Sequence, residues 1–287
     1  MNPSVKPFFD ETTNTVTYIT SDPISRQCVI IDPVLDFDQA SGRTSTTSAD
    51  ALLDYLRAND YVVAWILETH AHADHLSAAQ YLKDETGGRT GVGRHIVRTQ
   101  QIFKEIFNLG AEFQPDGGQF DRLLDDGDVL DVGGLLVRVM HTPGHTPACV
   151  TYLAGDAAFV GDTLFMPDFG TARVDFPGGD AATLYRSIQR IYALPGQTRL
   201  FLCHDYKAPG RDVYAWETTV GQQRRENIHV KDGVTEDEFV EMRTTRDKTL
   251  DMPNLIMPSV QVNIRGGRLP TPEANGVSYI KIPVNAV

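Results

Sequence analysis

One short turn of this chain carries three imidazoles and a carboxylate: His70-Ala71-His72-Ala73-Asp74-His75. It directly follows an apolar run, Val62-Val63-Ala64-Trp65-Ile66-Leu67, which reads as a buried strand. Imidazole is the commonest metal ligand among side chains, and Asp adds a hard anionic oxygen. Only 8 of 287 residues are His, so this density is no accident of composition. A strand ending in such a cluster aims several ligands at one point. The rest of the fold then has to bring further ligands to that strand end.

Further candidates occupy the same kind of place. Met140-His141-Thr142-Pro143-Gly144-His145 follows a predicted strand ending at Val139, Gly161-Asp162 follows Val160, and His204-Asp205-Tyr206 follows Cys203. Strand ends that each offer His or Asp on a short loop suit a metal site built on a sheet edge. Thr142-Pro143-Gly144 forces a tight turn that presents His145. Asp32, before Pro33 at another strand end, either supports the site or caps a turn.

Hydrophobic spacing supplies the frame. Val16–Thr20 and Cys28–Pro33 read as paired strands around a polar turn. Ser48 is expected to cap a helix whose apolar face is Ala49, Leu52, Leu53 and Leu56. Helices are expected over 77–85, stopped by Gly87-Gly88, and over 99–109. After Asp128 come short strands at 135–140, 150–153 and 157–160, then an Asp180-capped helix and a buried strand at 200–203. Thr235-Glu236-Asp237-Glu238 is a capping box. Val260, Val262 and Ile264 alternate before Gly266-Gly267. Strands in both halves with helices between them predict two sheets packed face to face with helices outside.

A net charge of -12 argues against a nucleic acid or an anionic membrane as partner. The three cysteines, Cys28, Cys149 and Cys203, form no CxxC pair, which argues against a disulfide framework and fits a reducing setting. Cys149 and Cys203 read as small core residues. No apolar run approaches the ~20 residues of a membrane span, and the N-terminus does not look like a signal peptide. A cytoplasmic protein is expected. His95 and His229 lie outside every motif, and Gly91-Val92-Gly93 lacks the third glycine of a dinucleotide fingerprint.

The order His70-x-His72-x-Asp74-His75, His145 in Thr-Pro-Gly-His, Gly161-Asp162 and His204 resembles the metallo-β-lactamase superfamily. That resemblance implies an αββα sandwich, an α/β fold with its metal site at the edge of two sheets. Within the superfamily the chain is most similar to the glyoxalase II and persulfide dioxygenase branch, through His141–Tyr152, His204-Asp205-Tyr206 and Ala172-Arg173-Val174-Asp175-Phe176. The tail Met252–Ile264 looks like a bacterial "β-lactamase hydrolase-like" subgroup. The expected organisation is one domain over 1–287, with a core at about 9–230 and a C-terminal extension, about 231–287, packed on it.

The resemblance implies one Fe(II) per chain, held by His70, His145 and Asp162, with His72, Asp74, His75 and His204 bonded around the ligands and waters. Such a two-His-one-carboxylate triad leaves positions open for sulfur and O2. It further implies oxidation of glutathione persulfide to sulfite and glutathione, a cytoplasmic bacterial setting and a homodimer. Substrate contacts are expected from Arg173 and Tyr206, and from Arg211 and Arg225 by position alone. Met166–Thr171 replaces the shorter Gly-Cys-Gly turn of the mitochondrial-type enzymes, which alters the pocket beside Arg173. Two alternatives stand beside this: a dinuclear thioesterase of the glyoxalase II kind, and a non-catalytic thiol or persulfide sensor.

Overall fold

The computed structural model describes residues 2–285. Its first six-stranded sheet runs, in spatial order, Ser4–Asp10, Thr15–Ser21, Gln27–Ile31, Val62–Glu68, Arg89–Gly93 and Arg122–Leu124. The second is ordered as in the chain: Val129–Val132, Leu135–His141, Val150–Ala154, Ala157–Phe159, Arg199–Phe201 and Glu217–Thr219. A small third sheet joins Arg43–Ser45, Val34–Asp38 and Leu76–Ser77. The helices are α1 (Thr47–Ala58), α2 (Ala79–Thr86), α3 (Ile96–Ile106), α4 (Ala181–Tyr192), α5 (Val220–Glu226), α6 (Glu236–Asp247) and α7 (Ile256–Asn263). None of the described helices is long and apolar enough to cross a membrane.

The two-residue period of a strand sorts the core into layers. Tyr18, Ile31, Trp65 and Leu67 point between the sheets and meet Val137, Val139, Tyr152, Phe159 and Phe201. Their neighbours Ile19, Ile30 and Ile66 point outward and meet Leu52, Leu53, Leu56 and Leu82 of α1 and α2. On the second sheet, Ala158 and Leu200 meet Leu184 and Ile188 of α4 and Phe239 of α6. Both faces are covered, which is why these strands read as near-continuous apolar runs. The expected αββα sandwich is the observed architecture.

Local sequence sets the ends. The Asp180 carboxylate accepts the Thr183 N–H at 2.8 Å and starts α4, a cap worth about 1 kcal/mol. The Thr235–Glu238 box closes the start of α6 as expected. Two readings change. Ser48 does not cap α1; its hydroxyl and N–H both bond Asp36, at 2.6 and 2.9 Å, and dock the helix onto the small sheet. The alternating Val260, Val262 and Ile264 are not extended, since 256–263 is helical and Ser259 through Asn263 are all buried. A helix covered on every side shows no apolar stripe, so spacing alone does not reveal it. Pro258 sits in its first turn, where proline is tolerated.

Strand direction positions the site. Gln27–Ile31 and Val62–Glu68 are parallel, so their C-terminal ends, Asp32 and Thr69, emerge together. Ala157–Phe159 and Arg199–Phe201 are parallel too, and deliver Asp162 and His204. Hydrogen bonds then stitch one sheet to the other at this edge. The Val150 N–H donates to Thr69 O (2.9 Å), the Val16 N–H to Cys203 O (2.7 Å), and the Tyr152 hydroxyl to Glu68 O (2.8 Å). Gly144 has φ +140°, and a Cβ there would lie 2.3 Å from Leu184 Cα. Only glycine lets the turn before His145 press against α4.

Candidate metal centre

The edge where the sheets meet gathers His70, His72, Asp74, His75, His145, Asp162 and His204. The donors form two sets, His70 with His145 and Asp162, and His72 with Asp74, His75 and His204. His70 Nε2 and His145 Nε2 stand 3.8 and 3.7 Å from Asp162 Oδ2. His204 Nε2 stands 3.3 Å from both Asp162 Oδ1 and Asp74 Oδ2. Donors about 2.0–2.2 Å from one ion lie roughly 3–4 Å apart, the separation found here.

Each imidazole has one nitrogen occupied by an acceptor. His145 Nδ1 donates to Arg173 O (2.7 Å), and His204 Nδ1 to Asn14 O (3.1 Å). His75 Nδ1 bonds Asp74 (3.0 Å), and His72 Nε2 bonds Asp32 (3.0 Å). The Thr69 hydroxyl donates to Asp32 Oδ2 (2.8 Å), so its lone pair accepts from His70 Nδ1 (3.0 Å). These bonds orient the rings and turn the opposite nitrogens into the site, where each offers a lone pair once metal binding displaces any proton. His70 Nε2, His72 Nδ1, His75 Nε2 and His204 Nε2 are buried without a hydrogen-bond partner, as is Asp162 Oδ1. Buried polar atoms normally have partners. Lone pairs that lack one and point inward from oriented imidazoles fit a metal ion.

The electrostatics agree. Burial, and then the neighbouring His72 and His145, push His70 well below its ordinary value, so it stays neutral with its lone pair available. Burial disfavours the His204 cation, yet the Asp74 and Asp162 carboxylates outweigh it and raise His204 well above its ordinary value. That end of the site attracts positive charge.

Asp32 holds the whole arrangement from behind. Its residue is left-handed, φ +51°, an unusual state for a residue with a Cβ. The carboxylate accepts from Thr69 N (2.7 Å), the Thr69 hydroxyl and His72. Of its two sequence readings, support of the site is the one the geometry shows. Glu68 joins it, 3.3 Å from His72 Nε2 and bonded by the Ser77 hydroxyl. Nothing in the sequence singled out Glu68, which simply ends an apolar strand.

A cavity of about 360 Å³ opens beside the first donor set, lined by His145, Asp162 and Asp74 among others. Phe165, Phe169 and Tyr206 form one wall, with Phe165 and Phe169 ring centroids 6.0 and 5.2 Å from that of Tyr206. Arg173 also lines it, but Asp175 grips its guanidinium at 2.6 and 2.7 Å and the Asp251 carbonyl takes a third bond.

Arg211 and Arg225 do not line the cavity. Arg211 is spent on Asp168 and Asp205 and clamps the 166–171 segment to the strand end after His204. Arg225 is exposed beside Glu226. Position after His204 places them near the site in sequence, but Asp168 and Asp205 hold Arg211, and Arg225 lies exposed on α5. In their place α6 supplies Arg243 and Arg246. Arg243 is buried on Asp247 and Thr171 O. Arg246 is exposed at the cavity and has no ion pair among the described residues. Burial, then these two cations, push His229 down to about 4. Its neutral Nδ1 accepts the Thr171 N–H at 3.0 Å and so anchors the cavity-wall segment. An arginine pair three apart on an exposed helix gave the sequence no reason to assign either one.

Comparison with known proteins agrees with this geometry. A family model described as "Metallo-beta-lactamase superfamily" matches residues 11–204. The chain is 57% identical to a Burkholderia pseudomallei protein named "Probable metallo-hydrolase", over 99% of this chain and 100% of that one. It is 51% identical to Glyoxylase B2 of Dictyostelium discoideum, over 93% and 92%. It is 30% identical to the human mitochondrial persulfide dioxygenase ETHE1, over 94% and 91%. It spans 65% of the length of the β-lactamase hydrolase-like proteins of Xylella fastidiosa and Agrobacterium fabrum that it also matches. The crystal structure of ETHE1 from Myxococcus xanthus superposes with a TM-score of 0.74 at 29% identity, covering 92% of this chain and all of that one.

Proposed function

The chain belongs to the metallo-β-lactamase superfamily, and we propose that within it this protein is a persulfide dioxygenase. The observation that carries the reading is the meeting of two oriented imidazoles and one carboxylate, His70, His145 and Asp162, beside an accessible cavity. The near full-length similarity to proteins named persulfide dioxygenase supports it. His70, His145 and Asp162 would hold a ferrous ion, and that ion would mediate the transfer of electrons from the spin-paired persulfide to O2. The overall change is RSSH + O2 + H2O → RSH + SO3²⁻ + 2H⁺. Four electrons pass from the persulfide to O2, and the S–S bond breaks.

The protein's own residues bind and orient. Phe165, Phe169 and Tyr206 shield the reacting sulfur from bulk water. Arg246 supplies an unpaired cation for a glutathione carboxylate, and Arg173 and Tyr206 lie on the same cavity. The Arg173 carbonyl fixes His145, so substrate and metal sites share one segment. The three buried free thiols suit a reducing, cytoplasmic setting.

The second donor set, His72, Asp74, His75 and His204, favours another reading, a dinuclear thioesterase. Sulfite formed from glutathione persulfide in air supports the dioxygenase. Hydrolysis of S-lactoylglutathione without O2 uptake supports the thioesterase.

The unpaired arginine makes a further prediction. Arg246→Ala should raise KM for glutathione persulfide about tenfold, some 1.4 kcal/mol of binding, and leave kcat near its parent value. Arg225→Ala should change neither. Steady-state kinetics of the two variants checks both, and an unchanged KM in Arg246→Ala removes this residue from the substrate site.

A further inference from the structure

The tail segment Met252–Ile264 contributes no residue to either donor set. In the structure α7 packs on the Leu76–Ser77 strand and ends in Asn263, which is 4% exposed. The Asn263 amide makes three hydrogen bonds, all to the segment that carries the metal-type residues. Its Nδ2 donates to the carbonyls of His72 and His75, both at 2.8 Å. Its Oδ1 accepts the Ser77 N–H at 2.8 Å. Two carbonyls need an NH2 and one N–H needs an oxygen, so only one orientation of the amide satisfies all three.

The segment needs such a partner. Residues 70–75 are irregular and, apart from half-buried Asp74, buried. They have no ladder to satisfy their backbone, and each unmet buried polar group costs about 1–3 kcal/mol. The amide ties positions 72, 75 and 77 to one rigid point. It also extends the network behind the donors, because the Ser77 hydroxyl bonds Glu68, which lies against His72.

We propose that Asn263 is a positioning residue for the metal loop, so that the C-terminal helix is part of the frame of the metal centre. Its amide sets where the His72 and His75 backbones lie, and through them the direction of the donors on either side. The inference needs a metal site in this loop and is independent of which reaction that site performs.

Cobalt(II) titration of the metal-free full-length protein tests it, read by visible absorption and by competition with a chelator. Asn263→Asp keeps the oxygen and the size but loses both donors. It should bind Co(II) about 10–100-fold more weakly, the range typical of lost outer partners. Asn263→Ser, with one donor left, should fall between it and the parent. The metal-free variants should keep the parent's far-UV circular dichroism. Gln261→Ala is the control on the same helix, since among the described residues the Gln261 side chain bonds only the Met257 and Lys281 backbone. It should lower the melting temperature and leave Co(II) affinity unchanged. Parent-like affinity in Asn263→Asp overturns the proposal, as does an equal loss in Gln261→Ala. Failure of both Asn263 variants to fold also overturns it, because the amide then serves the fold and not the loop.

Discussion

His145→Ala and Asp162→Ala should lose metal and activity together, with the fold intact. His145 Nε2 and His70 Nε2 converge on one oxygen of Asp162, so each of the three residues contributes a donor to a shared position. With only two donors left, affinity should fall by more than the 10–100-fold that follows loss of an outer partner. Activity at limiting metal should fall at least in parallel. Metal analysis after dialysis, alongside turnover, checks this. His75→Ala separates the two functional readings. With one iron per chain held by His70, His145 and Asp162, it should retain that metal, whereas a dinuclear site should lose an ion.

Arg243→Ala should strongly destabilise the fold. Arg243 and Asp247 are 1% and 3% exposed and pair within α6, one turn apart. Arg243 also donates to Thr171 O, and Asp247 accepts the Val174 N–H. The pair therefore fastens α6 to both sides of Arg173 on the cavity wall. Removing one partner leaves a buried charge unpaired, at a cost of about 3–5 kcal/mol. In a chain of this size that corresponds to a melting-temperature drop of roughly 10 °C. Arg243→Met with Asp247→Leu should recover much of the loss, because no bare charge remains. Thermal unfolding of the single and double variants measures the difference. A single variant within about 1 °C of the parent shows that the pair does not hold α6.

The parts legible in sequence are those governed by short-range rules. Apolar runs with both faces covered predicted the two sheets. The His and Asp residues that follow those runs lie together because parallel strands align their C-terminal ends. The caps at Asp180 and Thr235 depend on residues three positions away and appear as expected. What sequence missed depends on distant partners. Ser48 had an acceptable capping site, but Asp36 lies closer. Buried α7 has no apolar stripe, so its alternating valines suggested an extended segment. Proximity to His204 in sequence suggests Arg211 and Arg225, but Asp168 and Asp205 hold Arg211 and Arg225 lies exposed on α5. Arg246, Glu68 and Asn263 acquire roles only through residues far along the chain.

The central claim is tested by an oxygen electrode, using protein loaded anaerobically with Fe(II). Adding glutathione persulfide in air-saturated buffer should produce sustained O2 uptake, with about one sulfite formed per O2 consumed. The same protein should leave S-lactoylglutathione unhydrolysed. A flat trace with persulfide, alongside turnover of the thioester, contradicts the dioxygenase reading. A flat trace with neither substrate turned over contradicts it equally and favours a non-catalytic thiol or persulfide sensor.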